Sequence, residues 1–233
     1  MARRATYFFD FQSPAPHLLV SGGWEFMDTK GNKPSPEVIN GLAKAFDLMK
    51  YDIGLLAQGE ADGMDKSLLP LDSTRKTASS EPVTVLTIAT GDRIGFIRLP
   101  SLPKGEDVPS KKLINKISMM VKKEREQVKL LIALSDWGWI AEREYLAQNP
   151  KYVPDILMGS GYGSGVSGRI QADKRCFWIR PYDKGRTLCE IEIFNWPDRT
   201  TKFEWEAPAD IKALSVGLGD QYQDNPDVSA ILH

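Results

Sequence analysis

Histidine is nearly absent: the 233 residues contain two, His17 and His233. A histidine-rich metal centre, or a Ser-His or Cys-His nucleophile pair, needs imidazoles as ligands or bases, so both are hard to build from this chain. Cysteine is equally scarce. Cys176 and Cys189 lack the spacing of a zinc site and cannot found a disulfide framework, so they are expected as a buried, reduced pair. An excess of one charge is missing too. The 30 basic residues nearly cancel the 31 acidic ones, which leaves no electrostatic footprint for nucleic acid. The one dense stretch, Lys122-Lys123-Glu124-Arg125-Glu126, mixes signs and reads as a solvated helix face. No apolar run approaches the roughly 18 residues of a membrane helix. Met1 to Ala5 leads into Tyr7-Phe8-Phe9-Asp10, too short for the apolar core of a secretory signal. The chain as given is therefore expected to be soluble, with no signal peptide and no nucleic-acid or membrane partner, and its compartment is not specified.

What is present is the composition of a folded globular protein, 42% hydrophobic and 26% charged, enough to bury a sizeable core. Apolar runs bounded by turn residues recur at 6–11, 17–21, 53–56, 83–89, 94–99, 128–134 and 156–158, and are expected as strands. Helical patterns lie between them at 35–49, 110–126 and 141–148. Strand, helix and strand in alternation imply an α/β layered fold. The last third changes character: 176–180, 187–194 and 201–206 look like strands joined at Asp183-Lys184-Gly185 and Pro197-Asp198, which suggests antiparallel hairpins. Asn225-Pro226-Asp227-Val228 is placed to open a short final helix.

With the elements in this order, the segment from His17 to Met64 resembles the front of a calcineurin-like metallophosphoesterase domain of the 5′-nucleotidase type. The resemblance rests on Leu18-Leu19-Val20-Ser21-Gly22-Gly23-Trp24-Glu25-Phe26, then a helix, then Lys50-Tyr51-Asp52, a short strand, and Ala57-Gln58-Gly59-Glu60-Ala61-Asp62. Arg93 to Leu99, Leu131 to Gly138, and Asp155 to Gly163 are similar to later strands and loops of that family in the same order. Asp224 to Ile231 resembles the linker that precedes a separate C-terminal substrate domain in long family members. The resemblance implies a single domain over 1–233, a four-layer αββα sandwich, and no such second domain in the chain as given.

Family chemistry uses two cations roughly 3.5–4 Å apart to hold a water nucleophile and the phosphate oxygens. Carried over position by position, the resemblance places the bridging carboxylate on Trp24, an amide ligand on Gln58, the leaving-group acid on Gly59, and imidazole ligands on Asp136, Gly161 and Gly163. The first family motif falls on Asp10 and Gln12, although the five residues Gln12 to Pro16 are too few for a parallel crossover from that strand to the next. The implied site is degenerate, with no catalytic residue, no metal and no cofactor. The resemblance thus implies a pseudoenzyme that binds an unidentified protein partner or small ligand. The alternative is a phosphomonoesterase or nucleotidase with a minimal Mn²⁺ or Mg²⁺ site rebuilt from Asp10, Gln12, Gln58, Glu60 and Asp136.

Trp24 reads either as a plug in the cation pocket or as a core aromatic. Trp137, Trp139 and Tyr162 are expected near it, where they would stack a flat ligand or fill the former metal cavity. The glycine-rich run Gly159 to Gly168, with Ser160 and Ser164, reads as a loop in place of the family's metal loop, or as an anion or ligand site. Glu25, Glu60, Asp62 and Asp136 would gather as paired carboxylates for acid–base work, bind a single hard cation, or remain solvated loop carboxylates.

Overall fold

The computed structural model describes residues 1–28, 32, 34–64, 74–182 and 185–232. Asp183 and Lys184 of the expected turn, and His233, lie outside the described residues. Three separate apolar cores account for the architecture, because three cores stacked in one direction require four layers.

The outermost core lies between a six-stranded sheet and two helices. That sheet runs β4 (Val83–Thr87), β5 (Arg93–Arg98), β6 (Leu130–Ser135), β7 (Ile156–Gly159), β9 (Cys176–Arg180) and β8 (Val166–Gln171). β5, β6, β7 and β9 are parallel neighbours, with β4 and β8 antiparallel at the two edges. One face packs on α4 (Lys111–Arg125) and α5 (Trp139–Ala147) through Ile97, Leu131, Ala133, Leu157 and Trp178, met by Ile117, Val121 and Tyr145. The opposite face presents Phe96, Leu130, Ile132, Ile156 and Phe177, the alternate residues of the same strands, to the middle core. The apolar runs of β6 and β9 are thus continuous in sequence because both faces are buried.

Across the middle core stand β1 (Val20–Ser21), β2 (Ile53–Leu55) and β3 (Arg75–Lys76) in one parallel group, and the antiparallel pair β10 (Thr187–Ile193) and β11 (Ile211–Gly217). The third core covers the far side of β2 with α1 (Ala2–Asp10), α2 (Pro36–Met49) and α6 (Pro226–Leu232), through Ala5, Ile39, Phe46, Met49 and Val228. The αββα order is the expected one. Ser35 and Ser110 cap α2 and α4, their hydroxyls accepting from the N–H of Val38 and Leu113. No helix among the described residues is long and apolar enough to cross a membrane.

Several expected elements are corrected. Residues 6–10 belong to α1 and Phe11 caps it, so no strand forms here: Ala2 and Ala5 share a buried face, and Arg4 beside them reaches Glu25 Oε1 at 3.0 Å and the Tyr51 hydroxyl at 3.3 Å. The β-propensity of Tyr-Phe-Phe yields to that packing. Residues 201–206 form no strand. β10 pairs instead with β11, which the sequence reading overlooked along with β3, β8 and the short α3 (Gln58–Gly63). The expected final helix is α6, in which Val228 is fully buried and whose end closes on Gly41 of α2. Cys176 is buried and Cys189 half-buried, both free.

At the end of the sheet away from the candidate site, Asp155 is buried and accepts from the Leu131 N–H (2.8 Å), from Arg125, and from both terminal nitrogens of Arg199 (2.9 and 2.6 Å). Removing this carboxylate takes an acceptor from two guanidinium groups and an amide, although Arg199 keeps the Val128 and Lys129 carbonyls. Asp155→Ala should lower the unfolding free energy by about 3 kcal/mol in a urea titration, whereas Arg199→Ala, which removes the more exposed partner, should cost about 1 kcal/mol.

Candidate functional site

β1, β2, β6 and β7 end side by side, and the segments that leave them make the candidate site. The two sheets nearly touch here. A Cβ on Gly22 would lie 2.7 Å from Ser160 Cβ, and one on Gly23 would lie 3.1 Å from Ala57 Cβ and 3.3 Å from Asp136 Cβ. Glycine at both positions is what lets the strand ends close. The Gly23 N–H donates to Ser160 Oγ (2.9 Å), and that hydroxyl donates to the Ser135 carbonyl (2.6 Å). Ser160 is therefore a brace between sheets, not a ligand-facing hydroxyl.

Trp24 follows in the left-handed backbone region, φ 64°, which is strained for a bulky residue. Glu60 holds it there. Its buried carboxylate accepts from Trp24 N (2.8 Å), Phe26 N (2.8 Å), Met27 N (3.2 Å) and Ala57 N (3.1 Å). Burial pushes the Glu60 carboxyl above its usual range, and the four N–H donors pull it back. The Trp24 indole then crosses the site: its N–H donates to the Asp136 carbonyl (3.1 Å), a Cβ on Gly59 would lie 2.7 Å from ring atom Cη2, and one on Gly161 would lie 3.3 Å from Cδ1. The ring spans from one glycine to the other.

Asp136 closes the end of β6. Its Oδ2 accepts from the Ser101 hydroxyl, while Oδ1 has no hydrogen-bond partner among the described residues. Burial pushes this carboxyl up, opposed by the Ser101 hydroxyl and by the nearby backbone N–H groups of Asp136 itself and Gln58. The Gln58 side chain is engaged elsewhere, accepting from Ser79 Oγ (2.8 Å) and donating to Asp62 (2.7 Å). Gly161 and Gly163 adopt φ 85° and 117° and offer no side-chain ligand.

The residues present do not fit a pair of cations. Among the described residues no three His, Cys, Asp or Glu side chains stand together in metal-holding geometry. Asp136 supplies one carboxylate already bonded to Ser101, Glu60 is saturated by amides, and an indole has no ligating lone pair. Asp10 closes α1 and Gln12 follows it, both exposed and on a different element from the one expected.

The other expected groupings do not form. Trp137 turns into the outer core, its N–H donating to the Pro100 carbonyl (2.8 Å) and its ring edge-on to Tyr145. Tyr162 is 70% exposed and Ser164 is exposed, while Trp139 packs on the outer core beneath Arg143. No described ring contact joins Trp24 to these aromatics. Glu25 pairs with Arg4 and Asp62 with Gln58, so the four acidic residues serve separate partners. The glycine-rich run is shorter than expected as a loop, because Val166 to Gln171 is β8.

Beneath the loop lies a buried pair that the sequence reading missed. Arg180 Nη2 donates to the carbonyls of Ser160 (3.1 Å), Gly161 (2.8 Å) and Tyr162 (3.3 Å), and its Nη1 lies 3.5 Å from Glu142 Oε2. Glu142 also accepts from Trp178 Nε1 (2.9 Å) and rests against the Cα of Gly159, where a Cβ would collide with it. The available signal was an arginine closing the otherwise apolar β9 run Cys176-Phe177-Trp178-Ile179.

No protein-family model and no curated protein sequence matches the chain. Solved structures do. Calcineurin-like phosphoesterase YfkN from Bacillus subtilis aligns over 100% of this chain and 86% of its own, with a TM-score of 0.63 at 17% identity. The 5′-nucleotidase from Candida albicans aligns over 92% of this chain, with a TM-score of 0.60 at 9% identity. Haemophilus influenzae NAD nucleotidase aligns over 82%, with a TM-score of 0.53 at 12% identity. This chain spans 48% and 40% of those two nucleotidase chains. The chain has the calcineurin-like metallophosphoesterase fold, as its αββα layers and strand order lead one to expect.

Two outcomes test the site's internal bracing. Glu60→Gln replaces an acceptor oxygen with a donor aimed at amide donors, so it should destabilise the protein by about 2–3 kcal/mol. The amides of Trp24, Phe26, Met27 and Ala57 should then gain hydrogen-exchange rate before the rest of the sheets. For Glu142, burial outweighs Arg180 and Trp178 and pushes the carboxyl from an ordinary 4.5 up to about 7. A folded pKa above the unfolded one contributes stability that is complete below about 4.5 and lost as pH rises through about 7. The unfolding free energy from urea titration should therefore fall between pH 5 and pH 8, by an amount on the order of 1–3 kcal/mol from this group, and Glu142→Gln should flatten that slope.

Proposed function

We propose that this chain is a noncatalytic, 5′-nucleotidase-like pseudo-metallophosphoesterase: a fold of that type without a di-metal centre, which uses the strand-end face to bind a protein partner or small ligand. The observation that carries this reading is the Trp24 indole lying across the space between Gly59 and Gly161, with its N–H on the Asp136 carbonyl. Those are positions where the family resemblance puts an acid and two metal ligands. Two cations roughly 3.5–4 Å apart would need that volume, together with a set of carboxylate and imidazole donors.

The rest of the donor set supports the same reading. Glu60 is committed to four amides, Gln58 to Ser79 and Asp62, and Ser160 to the Gly23 to Ser135 brace. A hydrolase that rebuilt its site from Asp10, Gln12, Gln58, Glu60 and Asp136 draws no support from this arrangement, since the first two sit on and just after α1 with exposed side chains.

The test is metal content by plasma mass spectrometry after soaking in Mn²⁺, Zn²⁺ and Mg²⁺ and desalting, paired with hydrolysis of p-nitrophenyl phosphate and of nucleoside monophosphates. Near zero metal per chain and no turnover above buffer is the expected result. About two metals per chain, or a turnover that Asp136→Ala abolishes, would overturn it and restore the hydrolase reading.

A further inference from the structure

β4 is one edge of the six-stranded sheet, and its own ladder fixes which of its backbone groups face outward. The Arg98 N–H donates to the Pro82 carbonyl (2.8 Å) and the Ile88 N–H to the Asp92 carbonyl (3.0 Å), in the same register that sets Thr84 opposite Phe96 and Leu86 opposite Ile94. Antiparallel ladders alternate between bonded and non-bonded pairs. Val83, Val85 and Thr87 are therefore the non-bonded residues, and their N–H and C=O groups point to the open side. No other hydrogen bond to these groups is found among the described residues.

Proteins guard such edges with charge, proline, bulges or a covering element. The opposite edge has these devices: β8 carries a bulge between Val166 and Arg169, a left-handed Gly168 at φ 100°, an exposed Arg169, and a neighbour in β11 through Ser215 and Ser167 (3.0 Å). The run Val83-Thr84-Val85-Leu86-Thr87-Ile88-Ala89 has no charge, no proline and no bulge. Its side chains are also incompletely covered. Val83 and Val85 pack against the outer core only in part.

We propose that β4 is a self-association edge, through which two copies of this chain pair antiparallel about a twofold axis at Val85. A twofold axis sets a strand against its own sequence, so any charge near the axis would meet its twin, and this edge has none. Centred on Val85, the pairing sets Val83 opposite Thr87 of the second copy and uses every outward group of both strands, about six hydrogen bonds. Half-buried Val83 and Val85 lie at the axis and would be covered further on pairing. A ladder this short buries less than the roughly 1,200 Å² of a standard interface, so the dimer is weak, with a Kd of roughly 1–100 µM. This inference stands independently of whether the strand-end face binds metal.

The test is sedimentation velocity of the full chain from about 1 to 500 µM, a range set by that affinity. The wild-type protein should move from monomer toward twice the monomer mass. Val85→Pro removes an outward donor without removing a bond to β5, and should remain monomeric with an unchanged circular dichroism spectrum. Thr87→Lys, at an exposed position, serves the same purpose if the proline variant fails to fold. A wild-type chain that stays monomeric throughout overturns the proposal and leaves the edge to a strand from a different protein. A dimer that both variants leave intact overturns it as well.

Discussion

The Glu60 carboxylate is the interaction on which the strand-end region depends. One buried side chain from the first turn of α3 satisfies three amides of the Trp24 to Met27 segment and one at Ala57. A buried amide without an acceptor costs about 1–3 kcal/mol, so four of them fix the path of that segment more firmly than its own sequence can. The positive φ of Trp24 is a consequence. So is the direction of its ring, which has room to lie over Gly59 and Gly161 only because neither carries a Cβ. The use of Glu60 as an internal acceptor also decides its chemistry, because lone pairs given to amides are not offered to a cation.

Charge is buried elsewhere in the molecule in the same manner, as a tie between elements that apolar packing alone would leave free to slide. Arg98 reaches from the six-stranded sheet to the Gly54 carbonyl of β2 (2.9 Å) and the Thr74 carbonyl (3.3 Å), so it crosses the middle core. Arg180 joins β9 to the three carbonyls of the loop after β7, and Glu142 of α5 stands against it on the helix-covered face of the sheet. Asp155 gathers two arginines and an amide at the opposite end. A buried charge is stable only with its partners in place, so each tie penalises a register shift by several kcal/mol while adding little net stability of its own.

The layered fold was legible in the sequence where periodicity was strong. The double-sided apolar runs at 94–99 and 128–134, the Ser35 and Ser110 caps, and the alternation of strand and helix each led to an observed element. Legibility failed where tertiary contacts outrank local preference. Tyr7-Phe8-Phe9 has strand propensity, yet Ala2 and Ala5 bury a helical face there. Ile211 to Gly217 holds Lys212 and Leu214 at alternate exposed positions and ends on a glycine, a weak strand signal that pairing with β10 makes decisive. The candidate site was legible as a set of positions but not as a set of contacts. Trp24, Gly59, Asp136 and Gly161 do come together, whereas Asp10, Gln12, Trp137, Tyr162 and Ser164 do not, and the two groups cannot be told apart without knowing which way each strand end turns.

The three cores are separate from the strand ends, so the side chains that meet there are held apart from the packing that fixes the fold. Most of the residues that fill the cores lie within strands and helices, below the level at which Gly22, Trp24, Asp136 and Gly161 project. The Trp24 indole at that level belongs to none of the three cores. An empty space there, lined by carbonyls, would leave acceptors such as the Asp136 oxygen without a donor. The Trp24 N–H meets that acceptor and its ring fills the volume, so a single side chain answers both requirements.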